Sequence, residues 1–447
     1  MKIITLLLLI PFFAWSQATV HFNQKENMSF TDPYFGRHRQ GENFEDMILE
    51  EIQQAKRELL VAVQELSLPH LAQAFADAKN RGVDVKIVIE NTYHNAFSEF
   101  TPEMVLKLTP HMQEKFAEFK LLADFLGNKD GESSTEEMQK IDTIRILRQN
   151  KIELKDDTAD GSKGSGLMHH KFIIRDGESL VVTSANFSLS DFFGDLSLTS
   201  SRGNSNALLL IQSQGMVQIF REEFLQMWGQ DNQKPRFGVK KNFRPLRRVI
   251  INGQKLSAIF SPFSSKIQWE QTSNGIIARE LNAAQKSVDF ALFVFSEQAL
   301  ANAMNGKSLM IRGLVEPSFA YREYSEMLDL LGVEILDPKC RYEEGNLPWI
   351  PPIVTVGIPL SAEGDKLHHK FAVIDGKKVI FGSHNWSEAA NKNNDETLLV
   401  IEDSKIAYEF TKEVNRLSQK ALLGVPNWLK KRIMERETAC RKPNSKY

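Results

Sequence analysis

Two segments of this chain carry the same reactive side chains at the same spacing. One is His169-His170-Lys171-Phe-Ile-Ile-Arg-Asp176 and the other is His368-His369-Lys370-Phe-Ala-Val-Ile-Asp375. Imidazole serves near neutral pH as a nucleophile or as a proton donor and acceptor, and a lysine ammonium neutralises an anion. In an extended segment side chains alternate between faces, so His169 and Lys171 share one face and His170 takes the other. The same holds for His368 and Lys370 against His369. The H-x-K pairs are therefore the candidates to share a phosphate, with the second histidine of each pair packed or hydrogen-bonded behind. Each motif is followed by an apolar run and then by Thr183-Ser184-Ala-Asn186-Phe187 or Gly382-Ser383-His-Asn385-Trp386. A hydroxyl and an amide arriving beside a lysine suit phosphate oxygens. Further on, Asn206 and Glu396 hold equivalent places before apolar runs.

The elements that must carry these residues are themselves repeated. Residues 52–90 and 278–316 each read as helix, strand, Ala-rich helix and strand: apolar runs at Leu59–Val63 and Val83–Ile89 answer those at Val288–Phe295 and Ser308–Val315. Strand, helix, strand is the pattern of a parallel crossover unit. Asn150-Lys-Ile-Glu-Leu-Lys and Gly332-Val-Glu-Ile-Leu-Asp read as a further strand in each half, and Val20-His-Phe-Asn answers Ala258-Ile-Phe-Ser. Two whole domains are thus duplicated. Residues 94–145 form an insertion in the first half, helical around Pro102–Leu126 and Thr135–Arg148, and Arg341–Gly364 is a Pro-rich loop in the second. Both precede their motif and are placed to shape the mouth of a site. The expected boundaries are 1–16 for a leader, 17–245 for the first domain and 246–447 for the second.

The net charge of −2 over 447 residues argues against a strongly basic nucleic-acid binder. Lys2 followed by the apolar stretch Ile3–Trp15 reads as an export signal cleaved after Ser16, which implies a secreted or periplasmic protein. No later run reaches the length of a membrane span. The connector Gly229–Arg248 carries Lys234, Arg236, Lys240, Lys241, Arg244, Arg247 and Arg248 against Asp231 alone. It reads as a solvated linker, or else as a contact for an anionic surface. The Trp428-Leu-Lys-Lys-Arg-Ile-Met segment reads in the same two ways, and Trp349 and Ile350 are candidates for contact with a lipid surface. Cys340 and Cys440 are the only cysteines, and their spacing leaves open whether they meet.

The doubled H-x-K-x4-D motif with its trailing G-S-x-N resembles the phospholipase D superfamily, over nearly the whole chain after the leader. One departure is Thr183, where the family has Gly. The resemblance implies an α/β fold of two duplicated α/β/α domains, packed with pseudo-two-fold symmetry around one shared active site, so that a monomer suffices. It implies a phosphodiesterase with no metal or other cofactor. The implied catalytic set is His169, Lys171, Asp176, His368, Lys370 and Asp375, with Ser184, Asn186, Ser383, Asn385, Asn206 and Glu396 binding or supporting the phosphate. By family usage His169 is the nucleophile, forming a phosphohistidine, and His368 the acid and base. Asp176 and Asp375 are expected to buttress the site without touching phosphorus. A carboxylate on one ring nitrogen makes the other more basic, so Glu396 is expected to reach His169 across the interface and Asn206 to serve His368. The motif set reads only the phosphate, and the near-neutral charge favours a phospholipid substrate, with contact at a membrane surface, over a nucleic acid. The alternatives within the family are nuclease action on DNA or RNA and phosphatidyl transfer of the cardiolipin synthase type.

Overall fold

The computed structural model describes residues 17–230 and 233–441. The leader and its cleavage position lie outside the described residues. Two sheets dominate. The first has seven strands in the order Gln17–Phe22, Ala207–Gln212, Ser179–Thr183, Lys171–Arg175, Glu58–Val63, Asp84–Ile89 and Glu153–Asp156. The second has nine, and seven of them repeat that order: Gln254–Ser261, Glu396–Glu402, Lys378–Gly382, Lys370–Ile374, Ser287–Leu292, Met310–Val315 and Val356–Ile358. Arg247–Ile251 and Leu422–Leu423 are added at its two edges.

The crossover units form as the apolar runs dictate. Glu58–Val63 pairs parallel with Asp84–Ile89 through the helix Pro69–Asn80, and Ser287–Leu292 pairs parallel with Met310–Val315 through Gln298–Asn302. Glu58–Val63 is buried from Leu59 onward, which is why it reads as an unbroken apolar run rather than as an alternation. The long helices Gln214–Trp228 and Ser404–Ser418 lie between the sheets, in one core that draws residues from both halves, including Phe172, Phe220, Phe371 and Phe410. Two outer cores cover the far faces, one per half. The layers thus run helices, sheet, helices, sheet, helices, and the central core binds the halves into one body.

Three expectations need correction. Val333–Asp337 is not a strand. The place beside Met310–Val315 is taken by Val356–Ile358, after the Pro-rich loop, because Trp349 and Ile353 N–H groups donate to the Asp329 and Leu330 carbonyls and pin that loop to the helix before it. The same pinning buries Trp349 in the second core at 4% exposure and leaves Ile350 outside at 93%. Nor is the basic connector a free cationic strip. Lys240 pairs with Asp160, Lys241 with Glu223 and Asp395, Arg244 with Glu223, Arg247 with Glu222 and Arg248 with Glu402. Five of its seven cations thus have acid partners, and the Lys241–Asp395 and Arg247–Glu222 pairs join the two halves.

The insertion forms the helices Pro102–Leu106, Pro110–Leu126, Thr135–Ile141 and Thr143–Gln149, broken where Thr109 and Asp142 cap new N-termini. Cys340 and Cys440 form a disulfide that ties the Pro-rich loop to the C-terminal helix Asn427–Arg441. Among the described residues no helix is long and apolar enough to cross a membrane.

Candidate active site

The two motifs meet because the halves are sewn together at the backbone just ahead of them. Asp395 N–H donates to the Leu167 carbonyl at 2.8 Å and His169 N–H to the Asp395 carbonyl at 2.9 Å. The mirror pair joins Ser205 to Lys366 at 2.8 Å and His368 to Ser205 at 3.1 Å. Each H-x-K pair is therefore placed beside the residue that follows the other half's stitch, which is Glu396 for one and Asn206 for the other.

His169 donates from Nδ1 to Glu396 Oε2 at 2.6 Å, and His368 from Nδ1 to Asn206 Oδ1 at 3.0 Å. These are the two contacts expected from the unequal repeats. With Nδ1 protonated, each Nε2 keeps its lone pair for chemistry. Lys171 Nζ donates to the His169 carbonyl at 2.8 Å and Lys370 Nζ to the His368 carbonyl at 2.7 Å, which fixes each ammonium beside its own imidazole. All four groups are buried. Burial, then Lys171 and Lys370, hold the His169 imidazole well below its ordinary value, and burial, then Lys370 and Lys171, do the same for His368. Burial pushes Lys171 down to about 8, and burial with repulsion from Lys171 holds Lys370 well below the ordinary lysine range. Four basic groups crowded away from water in this way await an anion.

The remaining motif residues divide by role. Ser184 donates to Asn206 Oδ1 at 2.8 Å and Ser383 to Glu396 Oε2 at 2.6 Å, and both also accept a backbone N–H. The serine hydroxyls are thus engaged in holding Asn206 and Glu396 and are not donors waiting for phosphate oxygens. Asn186 and Asn385 have Oδ1 atoms that are buried without a protein partner. Asp176 and Asp375 are removed from the catalytic set. They lie five residues down the strand from the lysines, about 16 Å away. Asp176 takes the positive-φ corner before Gly177, and its carboxylate accepts the Lys56, Arg57 and Glu58 N–H groups at 2.9, 2.7 and 2.9 Å. Asp375 does the same before Gly376 for Gln285, Lys286 and Ser287. Each aspartate closes a hairpin and anchors the neighbouring strand. His170 is bonded to Thr397 and Glu223, and His369 to Glu413, behind the site. Thr183 fills its place with a hydroxyl bonded to the Ala207 carbonyl, whereas a Cβ at Gly382 would stand 2.1 Å from the Thr397 carbonyl oxygen.

Three neighbours were not singled out from the sequence. Gln64 Oε1 accepts from Lys171 Nζ at 3.1 Å. At the matching place in the second half, the Phe293 ring lies under the Lys370 ammonium and edge-on to His368, both at 4.9 Å. Asp191 is buried, with Oδ1 3.3 Å from Asn206 Nδ2 and 3.5 Å from His368 Nδ1, while Oδ2 accepts the Asn186 N–H. Its counterpart in the second half is Ala390. An acid in one repeat with no partner in the other is the signal that points to it.

The family model described as "Cardiolipin synthase, PLD-like domain" matches residues 48–228 and again 277–418. A mitochondrial cardiolipin hydrolase of Mus musculus is 29% identical over 150 residues, covering 33% of this chain and 58% of that protein. A phospholipase D of Rickettsia bellii is 26% identical over 177 residues, covering 39% of this chain and 73% of its own. The solved phosphatidylserine synthase of Haemophilus influenzae superposes with a TM-score of 0.52 at 13% identity, over 94% of each chain, which is a likeness of fold. The mouse relative is thus spanned for little more than half its length. With the family model matched twice, once around each H-x-K motif, the chain belongs to the phospholipase D superfamily.

Proposed function

We propose that this protein is a phosphodiesterase, a phospholipase D that releases the headgroup alcohol of a phospholipid and leaves phosphatidic acid. The observation that carries the mechanism is the unequal support of the two histidines: Glu396 on His169 and Asn206 on His368. The substrate phosphate enters between Lys171 and Lys370, with Asn186 and Asn385 as further donors. His169 Nε2, made more basic by the carboxylate on Nδ1, attacks phosphorus and the bond to the headgroup oxygen breaks. His368 gives that oxygen its proton. In the second step His368 takes a proton from water, the hydroxide attacks phosphorus, and the bond to His169 breaks. The bound phosphodiester anion offsets the repulsion among the four basic groups, so His368 gains its proton as substrate arrives.

The choice of lipid over nucleic acid is supported by the net charge of −2 and by the connector, five of whose seven cations are in ion pairs. It is supported too by relatives named phospholipase D and cardiolipin hydrolase. The leader, read as an export signal, puts the activity outside the cytoplasm. The test is an activity panel of phosphatidylcholine, cardiolipin and single-stranded DNA, with and without EDTA. Lipid hydrolysis that survives EDTA is expected. Cleavage of DNA alone overturns the lipid assignment, loss of activity to EDTA overturns the mechanism, and exchange of headgroup without hydrolysis makes the protein a phosphatidyl transferase. A phosphoryl group trapped on His368 reverses the roles of the two histidines.

A further inference from the structure

A cavity of about 870 Å³ lies between the two halves, within the roughly 300 to 1,000 Å³ of small-molecule sites. The first half gives it Arg37, Arg39 and Arg202, and the second gives Arg416 and Lys420. None of His169, Lys171, His368 and Lys370 is in its wall. Two acids line it, and both already have donors. Asp365 accepts from the Ser201 hydroxyl and from the Arg202 and Gly203 N–H groups at 2.8 and 3.1 Å, and Glu26 accepts from Gln419 at 3.0 Å.

The cations are only partly answered. Arg39 pairs with Asp32 at 2.9 Å and Arg416 with Glu413 at 2.6 Å. Arg37 donates to the backbone carbonyls of Asp195, Leu196 and Leu198, not to a carboxylate. Arg202 and Lys420 are exposed, and among the described residues no acid pairs with either. Arg39 is 5% exposed, with Nε on Asp32 and Nη1 on the Ser201 carbonyl, yet its Nη2 is buried with no partner. A guanidinium edge left open in this way costs free energy that an acceptor oxygen recovers.

The wall also reaches the stitch ahead of His368. Ser205 lines the cavity, its N–H donates to the Lys366 carbonyl, and its carbonyl accepts the His368 N–H. Arg416 Nη2 is 3.4 Å from Ser205 Oγ, and the same guanidinium holds Glu413, which bonds His369.

We infer that this cavity is a second anion site, which takes a phosphate group between Arg37, Arg39 and Arg202 of one half and Arg416 and Lys420 of the other. Guanidinium groups grip phosphate oxygens two at a time, and five cations against two engaged acids favour a multiply charged anion. The bound anion joins the halves beside the Ser205–Lys366 stitch and so stabilises the arrangement that places His368. The site takes no part in bond breaking and does not depend on which phosphodiester is cleaved.

The test titrates inorganic pyrophosphate by calorimetry into wild type, Arg202→Gln/Lys420→Gln and Arg39→Lys, and measures its inhibition of phosphodiester cleavage by the same proteins. Inhibition reads the phosphate site alone, and heat reads both. Wild type is expected to bind one equivalent that does not inhibit. The double variant weakens that equivalent about tenfold, and so does Arg39→Lys, which keeps a charge beside Asp32 and lacks Nη2, while inhibition stays within about twofold. Lys171→Met, which weakens the phosphate site, keeps the second equivalent. Saturating pyrophosphate raises the Tm of wild type more than that of the double variant. Vesicles of phosphatidylcholine with and without phosphatidic acid identify the source of the anion: sedimentation that depends on phosphatidic acid and is lost in the double variant makes it a lipid headgroup, and any other result makes it a free anion. A wild type that binds no equivalent beyond the inhibitory one, or a second equivalent undiminished in both cavity variants, overturns the inference.

Discussion

Asp191 offers the sharpest test of how the site divides its labour. It is a buried carboxylate with no lysine or arginine among its hydrogen-bond and ion-pair partners, 3.5 Å from His368 Nδ1. When His368 is an imidazolium, that carboxylate is its counter-charge. At an effective dielectric of about 20, a full charge pair at 3.5 Å is worth about 5 kcal/mol. A half-transferred proton in the transition state leaves about 2 kcal/mol, roughly thirtyfold in rate. Asp191→Asn keeps the shape and removes the charge. The assay compares phosphodiesters whose leaving groups are an alkyl alcohol and 4-nitrophenol. An alkoxide needs the His368 proton to depart and a nitrophenolate does not. The variant is expected to lose about thirtyfold in kcat/KM on the alkyl substrate and only a few-fold on the nitrophenyl one. Glu396→Gln, which weakens the attacking His169, is expected to slow both. Equal losses on the two substrates in Asp191→Asn would refute the reasoning and make Asp191 a structural support of Asn186 and Asn206.

Three further outcomes are expected. Lys171, depressed to about 8, loses its proton as pH rises through that value, so kcat/KM falls above pH 8, and binding of vanadate near pH 8 takes up protons as the anion restores the ammonium; calorimetry in buffers of different ionisation enthalpy measures it, and binding without proton uptake would contradict this electrostatic picture. Asp176→Asn weakens three hydrogen bonds to backbone N–H groups, so stability to urea drops by about 2 kcal/mol while kcat per folded molecule holds; a loss of kcat without a loss of stability would return Asp176 to the chemistry. Cys340→Ser opens a cross-link across 100 residues of sequence, a loss of about 4 to 5 kcal/mol by loop entropy, with limited proteolysis cutting first at the C-terminal helix; unchanged thermal stability would refute it.

Much of this protein was legible before any tertiary structure, because duplication leaves its mark on every element. The two copies of strand, helix, strand and H-x-K are local patterns, set by side-chain alternation and apolar runs, and the inequality of Asn206 and Glu396 could be read by laying one copy over the other. The sequence also separated His169 from His170 by face. What it could not determine was who pairs with whom over long separations. Five of the seven connector cations meet acids that arrive from Asp160, Glu222, Glu223, Asp395 and Glu402. Ser184 and Ser383 look like phosphate donors until the fold hands their hydroxyls to Asn206 and Glu396. Val333–Asp337 has the composition of a strand, yet strand pairing is settled by which segment reaches the sheet edge, and Val356–Ile358 reaches it. The doubled motif thus named the reactive side chains. Only the tertiary structure decided its support, through the backbone stitches Leu167–Asp395 and Ser205–Lys366, because a contact spanning some two hundred residues is fixed by the packing of whole halves and by no local run of sequence.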